Sequence, residues 1–188
     1  MTGGASCPTL SRVTLASLLV SLSVLGLVMA TNFSVLSEGR AAYESGAARV
    51  EAQQAARIAL GRMSREIRTA GSGKAGVFFP AISVAEPARI VLHRDLNADG
   101  IVDGIRETVT WKLDGTILRR DAGGGAQPIV NGVRALSFTY LDEDGAVTTA
   151  PERVRNVKIT LTTGAALGSR VGTGTTTTVA TQVRLRNR

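Results

Sequence analysis

The densest run of chemistry-bearing side chains in this chain is Asp95-Leu96-Asn97-Ala98-Asp99-Gly100-Ile101-Val102-Asp103. Oxygen donors stand at the first, third, fifth and ninth places of a calcium-loop pattern, with glycine at the sixth. Ca²⁺ takes about six to eight oxygens, and alternate residues of a tight loop can aim theirs inward. The donors here would be the carboxylates of Asp95, Asp99 and Asp103, the Asn97 amide and the Ile101 backbone carbonyl. The acid that closes such a loop belongs at the twelfth place, where this chain has Arg106; Glu107 follows one place later. The same residues also compose a plain hairpin turn, because Asp, Asn and Gly tolerate turn geometry. Calcium is thus the one cofactor the sequence suggests, and a metal-free turn is the alternative.

Other reactive types are sparse. His93 is the sole histidine, with no second His, no G-x-S-x-G and no C-x-x-C to make a nucleophile or metal cluster beside it. It reads as a strand-surface residue, and the chain as non-enzymatic. Gly71–Gly76 and Gly123–Gly125 lack the G-K-[ST] of a phosphate loop. Asp142-Glu143-Asp144-Gly145 reads as a turn, and Asn32-Phe33-Ser34 matches a glycosylation sequon at the membrane face. Cys7 is the only cysteine, so no intramolecular disulfide is available.

The elements that would carry the acidic loop alternate with period two. Ile90 and Leu92 alternate with Arg89, Val91 and His93, and Val109, Trp111 and Leu113 with Thr108, Thr110 and Lys112. Leu136, Phe138 and Tyr140 form a third set, and Val157, Ile159 and Leu161 a fourth; Val179, Gln182, Val183 and Leu185 close the chain less regularly. Turn signals such as Asp114-Gly115 and Thr163-Gly164 bound these runs, which predicts an antiparallel sheet with one buried face. Ahead of them, Ala56, Leu60, Met63 and Ile67 form a helical stripe that Val50 and Tyr43 extend backwards by sevens, opposite Gln54, Arg57, Arg65 and Arg68. Gly71-Ser72-Gly73 ends that helix. The expected fold is α+β, a long helix laid across an antiparallel meander.

The helix begins in Val13–Leu36, which has neither charge nor proline. At about 1.5 Å per residue it is long enough for the ~30 Å hydrocarbon core of a bilayer. The chain of 188 residues then divides into a leader (1–12), a transmembrane half of the helix (13–36), an amphipathic half (37–70) and a β-rich head (71–188). Gly39 and Gly46 are the expected bends. Arg12 beside the apolar run suggests that the N-terminus stays in the cytoplasm. A secretory signal cut behind Val28-Met29-Ala30 and a permanent single-pass anchor are both compatible with this pattern. Ser17 and Ser21, and likewise Gly26 and Ala30, have the small-residue spacing that lets helices approach closely in lipid. The net charge is +7, but the arginines are scattered and aromatics are only 4% of residues, so no stacking platform for nucleic acid is evident. The basic residues read as a solvated surface.

The run TLASLLVSLSVLGLVMA resembles the start of type IV prepilins and type II secretion pseudopilins, matching in register at Thr14, Leu15, Leu18, Leu19, Val20, Leu22, Val24 and Leu25. The resemblance implies cleavage by a prepilin peptidase between Arg12 and Val13, where the family has glycine before the cut. It also implies a helix-assembly role for the fifth mature position, Ser17 here and glutamate in the family. Further on, Met63–Gly71, Leu118-Arg119-Arg120, Phe138–Gly145, Val154–Leu161 and Val183–Asn187 follow in the order seen in J-type minor pseudopilins and W-type minor pilins. The resemblance implies a pilin-like fold and a minor structural subunit, in the bacterial inner membrane with its head in the periplasm, that joins or initiates a type IV pilus or a type II secretion pseudopilus. Its implied partners are other pilin or pseudopilin subunits, the inner-membrane assembly platform, the peptidase and membrane lipid. The alternative is an exported or membrane-anchored β-rich module that binds a ligand or DNA.

Overall fold

The computed structural model describes residues 14–164 and 176–187. The chain falls into two compact units, Met1–Tyr43 and Glu44–Arg188. Helix α1 spans Leu15–Thr69 and is assigned without interruption through Gly39 and Gly46.

In the first unit, every side chain from Thr14 to Arg40 is exposed. The few polar side chains of the apolar stretch turn back onto their own helix. Ser21 Oγ donates to the Ser17 carbonyl at 2.8 Å, Ser23 Oγ to Leu19 at 2.8 Å, Thr31 Oγ1 to Val28 at 2.9 Å and Asn32 Nδ2 to Val28 at 2.8 Å. A hydroxyl without a partner is costly in hydrocarbon, and these bonds remove that cost within one turn. The result is a helix long and apolar enough to cross a membrane.

In the second unit, Ala56, Ala59, Leu60, Met63 and Ile67 are buried on one face of α1, while Gln54, Arg57, Arg65 and Arg68 are exposed. Burying each large apolar side chain of that stripe contributes about 1.5–3 kcal/mol. The expected backward extension fails, because Val50 is 55% and Tyr43 79% exposed. Heptad spacing puts residues on one helical face, but that face is buried only where another element covers it. The helix stops at Gly71, whose φ of 78° suits glycine and whose N–H donates to the His93 carbonyl at 2.8 Å. A Cβ there would also collide with the Asn187 backbone oxygen, so the α1 terminus and the chain's C-terminal segment meet only through glycine.

The strands form two antiparallel sheets rather than the single meander expected. β1 (Ile82–Glu86), β2 (Arg89–His93), β3 (Thr108–Asp114), β4 (Ile117–Asp121) and β5 (Gln127–Asn131) make a five-stranded meander. β6 (Val133–Leu141), β7 (Asn156–Gly164) and β8 (Thr176–Arg184) make a second sheet. The chain changes sheets at Gly132, which has a φ of 73°. β6 then ties back to the β1–β2 turn: Phe138 N–H donates to the Pro87 carbonyl at 2.8 Å, and Tyr140 Oη to the Glu86 carbonyl at 2.7 Å. Pro128, which cannot donate to a ladder, sits on edge strand β5. The α1 stripe and both sheets share one core, in which Trp111, Met63, Ile159 and Val133 are fully buried. The fold is α+β, with a long N-terminal helix packed against antiparallel sheets.

Candidate functional site

The acidic loop joins β2 to β3, and both ends are fastened to backbone: Asp95 N–H donates to the Ser72 carbonyl at 2.8 Å and Arg106 N–H to Ala122 at 3.0 Å. Asp95 is buried, and its Oδ2 accepts the N–H groups of Lys74 at 3.1 Å and Gly100 at 3.0 Å. Burial pushes its carboxyl upward, but the amides of Lys74, Gly100, Ala98 and Asp99 outweigh that and hold it below the usual carboxylate range. Its Oδ1 is buried without a hydrogen-bond partner. Asn97 and Asp99 bond to each other: Asn97 Oδ1 accepts the Asp99 N–H at 3.0 Å, and Asn97 Nδ2 donates to Asp99 Oδ2 at 2.7 Å. Asp99 Oδ1 accepts the Ile101 N–H at 2.7 Å, while Asp103 is exposed.

The second organising group is Glu107. It is buried, with Oε1 accepting the Leu96 N–H at 3.0 Å and Oε2 the Gly104 N–H at 2.7 Å. A Cβ at position 104 would lie 2.7 Å from Glu107 Oε2, which accounts for glycine there. In the sequence Glu107 stands out only as an acid one place late for a calcium loop; its structural role is to replace water for two loop amides. Among the described residues, no three His, Cys, Asp or Glu side chains gather where they could hold a metal ion. The loop therefore brings Asp95, Asn97 and Asp99 together chiefly through hydrogen bonds to its own backbone, and Ile101 joins them by its N–H.

The remaining candidates are held in structural contacts. His93 is half-buried, with Nδ1 2.9 Å from Thr108 Oγ1 and Nε2 2.8 Å from Ser83 Oγ. It links β1, β2 and β3, and burial lowers its pKa, which favours the neutral ring. Asp142 closes its turn by accepting the Asp144 and Ala146 amides at 3.1 and 2.9 Å. On α1, the Ser17 hydroxyl donates to the Thr14 carbonyl at 2.8 Å, and a Cβ at Gly26 would meet nothing within 4 Å. Arg12, Val13 and Cys7 lie outside the described residues.

Sequence reasoning missed Glu66. From α1 it reaches the sheet: Oε2 accepts Trp111 Nε1 at 2.6 Å, and Oε1 accepts Arg120 Nε at 2.9 Å with Arg120 Nη2 also at 2.9 Å. The Glu66 and Arg120 side chains are each 11% exposed. A charge-assisted pair of this kind fixes how the helix face meets β3 and β4. The only hint in the sequence is an acid set beside the apolar stripe. No family model matches this chain, and no curated protein matches it.

Proposed function

We propose that this chain is a non-enzymatic minor pilin or pseudopilin-like subunit, anchored in the bacterial inner membrane by its apolar helix with the β head in the periplasm. It joins or initiates a filament by bundling that helix with those of other pilin-like subunits. One observation carries the reading: α1 has an apolar stretch with no side chain buried, followed by a stretch whose apolar face is buried under two antiparallel sheets. An exposed apolar surface of that length needs lipid or other helices around it. Ser17 supports a particular version of the reading. Its hydroxyl is engaged within its own helix, so assembly rests on close apolar packing at Ser17/Ser21 and Gly26/Ala30 rather than on an ion pair.

The intact mass of the protein drawn from its native membrane tests this. A mature chain starting at Val13 supports the assembly reading. A chain starting at Thr31 would have lost most of the apolar stretch and would overturn it. The full-length chain favours the rival, a membrane-anchored binding module.

A further inference from the structure

Four of the arginines that look scattered in the sequence converge at one place in the second unit. A half-open cleft of about 590 Å³ is lined by Arg62 of α1, Arg94 just beyond β2, Arg106 at the end of the acidic loop and Arg120 of β4. Among the described residues Glu66 is its one carboxylate, and Gly124 and Gly125 form part of its wall. Four arginines and one carboxylate line the cleft among the described residues, and that carboxylate is already committed to Arg120 and Trp111. Arg62 Nε stands 3.6 Å from Glu66 Oε1. Arg94 Nε donates to the Arg106 carbonyl at 3.2 Å, the one hydrogen bond of that side chain among the described residues. Arg106 is exposed and holds a φ of 74°, a region costly for a residue with a Cβ, and its N–H is pinned to the Ala122 carbonyl.

We propose that this cleft binds an acidic peptide segment of a partner protein, with Arg94 and Arg106 taking its carboxylates. The cationic groups are all arginine, whose planar fork suits bidentate pairing with carboxylate. The cleft floor already shows that pairing, between Arg120 and Glu66. Among the described residues no aromatic side chain lines the cleft, so they offer bases no ring to stack on. Ile105, 77% exposed, supplies an apolar wall for the stem of a peptide side chain. The proposal is independent of whether the chain enters a filament.

The test uses the full chain in detergent micelles and a fluorescein-labelled peptide of alternating Glu and Gly. The expected result is saturable binding that weakens as salt rises and is at least about tenfold tighter than that of the same peptide with Gln for Glu. Arg94→Gln combined with Arg106→Gln weakens binding about tenfold, and Arg106→Gln alone, at an exposed side chain, weakens it with little change in melting temperature. Arg184→Gln combined with Arg186→Gln, equal in charge but outside the cleft, leaves binding unchanged. Equal binding of the Gln peptide would overturn the proposal. So would equal losses in the two double variants, or tighter binding of a single-stranded DNA of matched charge.

Discussion

Leu22 and Met63 are both large apolar side chains on the same helix, yet Leu22 is 68% exposed and Met63 fully buried. The difference lies in what surrounds them. Around Leu22, apolar residues occupy every face and the hydroxyls fold back onto the helix, so no charge or unpaired polar group marks one side. Around Met63, one apolar face is buried and the opposite face is mostly charged or polar, and Glu66 beside the buried face carries a charge that Trp111 and Arg120 satisfy. A uniform apolar surface suits a solvent of lipid, whereas a one-sided surface with a buried ion pair specifies a single packing partner. One helix thus contains two kinds of apolar stretch, and substitutions should affect them separately.

Placing a charge in the one-sided stretch has the largest expected effect. Met63→Asp puts an unpaired carboxylate among Trp111 and the sheet residues and should cost more than about 4 kcal/mol, which leaves the head unfolded in circular dichroism. Glu66→Ala leaves Arg120 and the Trp111 N–H without their partner, and a loss of about 3–5 kcal/mol is expected from chemical denaturation. In the uniform stretch, Leu22→Arg should cost about 3 kcal/mol of membrane partitioning, seen as a shift to the soluble fraction, while the melting of the head is unchanged. A head that melts earlier in Leu22→Arg would break the comparison.

The smallest effect concerns the acidic loop and sharpens the picture of the head. The folded pKa of Asp95 lies below its unfolded value, so its carboxylate contributes stability above the ordinary carboxylate range. That contribution is lost as pH falls through the lowered value. Asp95→Asn should therefore flatten the acid limb of the stability profile, measured as melting temperature between neutral pH and about pH 3. An acid limb as steep as that of the unsubstituted chain would show that the loop amides do not favour the ionised form.

The sequence revealed what is local. Ala56, Leu60, Met63 and Ile67 repeat with the helical period and are buried on one face, and the alternation of β3, β6 and β7 marks those strands directly, whereas in β2 Val91 is buried along with Ile90 and Leu92. Features set by long-range contacts were hidden. A bulge between Ile82 and Val84 disrupts β1, and Pro128 disguises β5, so neither alternates cleanly. Nothing in the β6 pattern announces a second sheet; that depends on Tyr140 and Phe138 reaching the β1–β2 turn. Tyr43 and Val50 keep the stripe's period but lie where nothing covers them, because periodicity fixes a face and not the extent of its cover. The acidic loop was visible as a pattern, whereas the part Glu107 plays in it depends on two backbone amides that only the folded loop presents. The gathering of Arg62, Arg94, Arg106 and Arg120 was the least legible feature, since it joins residues of four separate segments.

On the proposed reading, one helix places its apolar surface in lipid at one stretch and under a sheet at another. Single cysteines at Val24, Ile58 and Met63, introduced into a Cys7→Ser background, test it by reaction with a membrane-impermeant maleimide in native membranes. Ile58, apolar but 70% exposed on the free face of the covered stretch, should label readily. Met63→Cys should label only after urea unfolds the head, and Val24→Cys only after detergent dissolves the bilayer. Labelling of Val24→Cys as fast as Ile58→Cys in intact membranes would contradict the account.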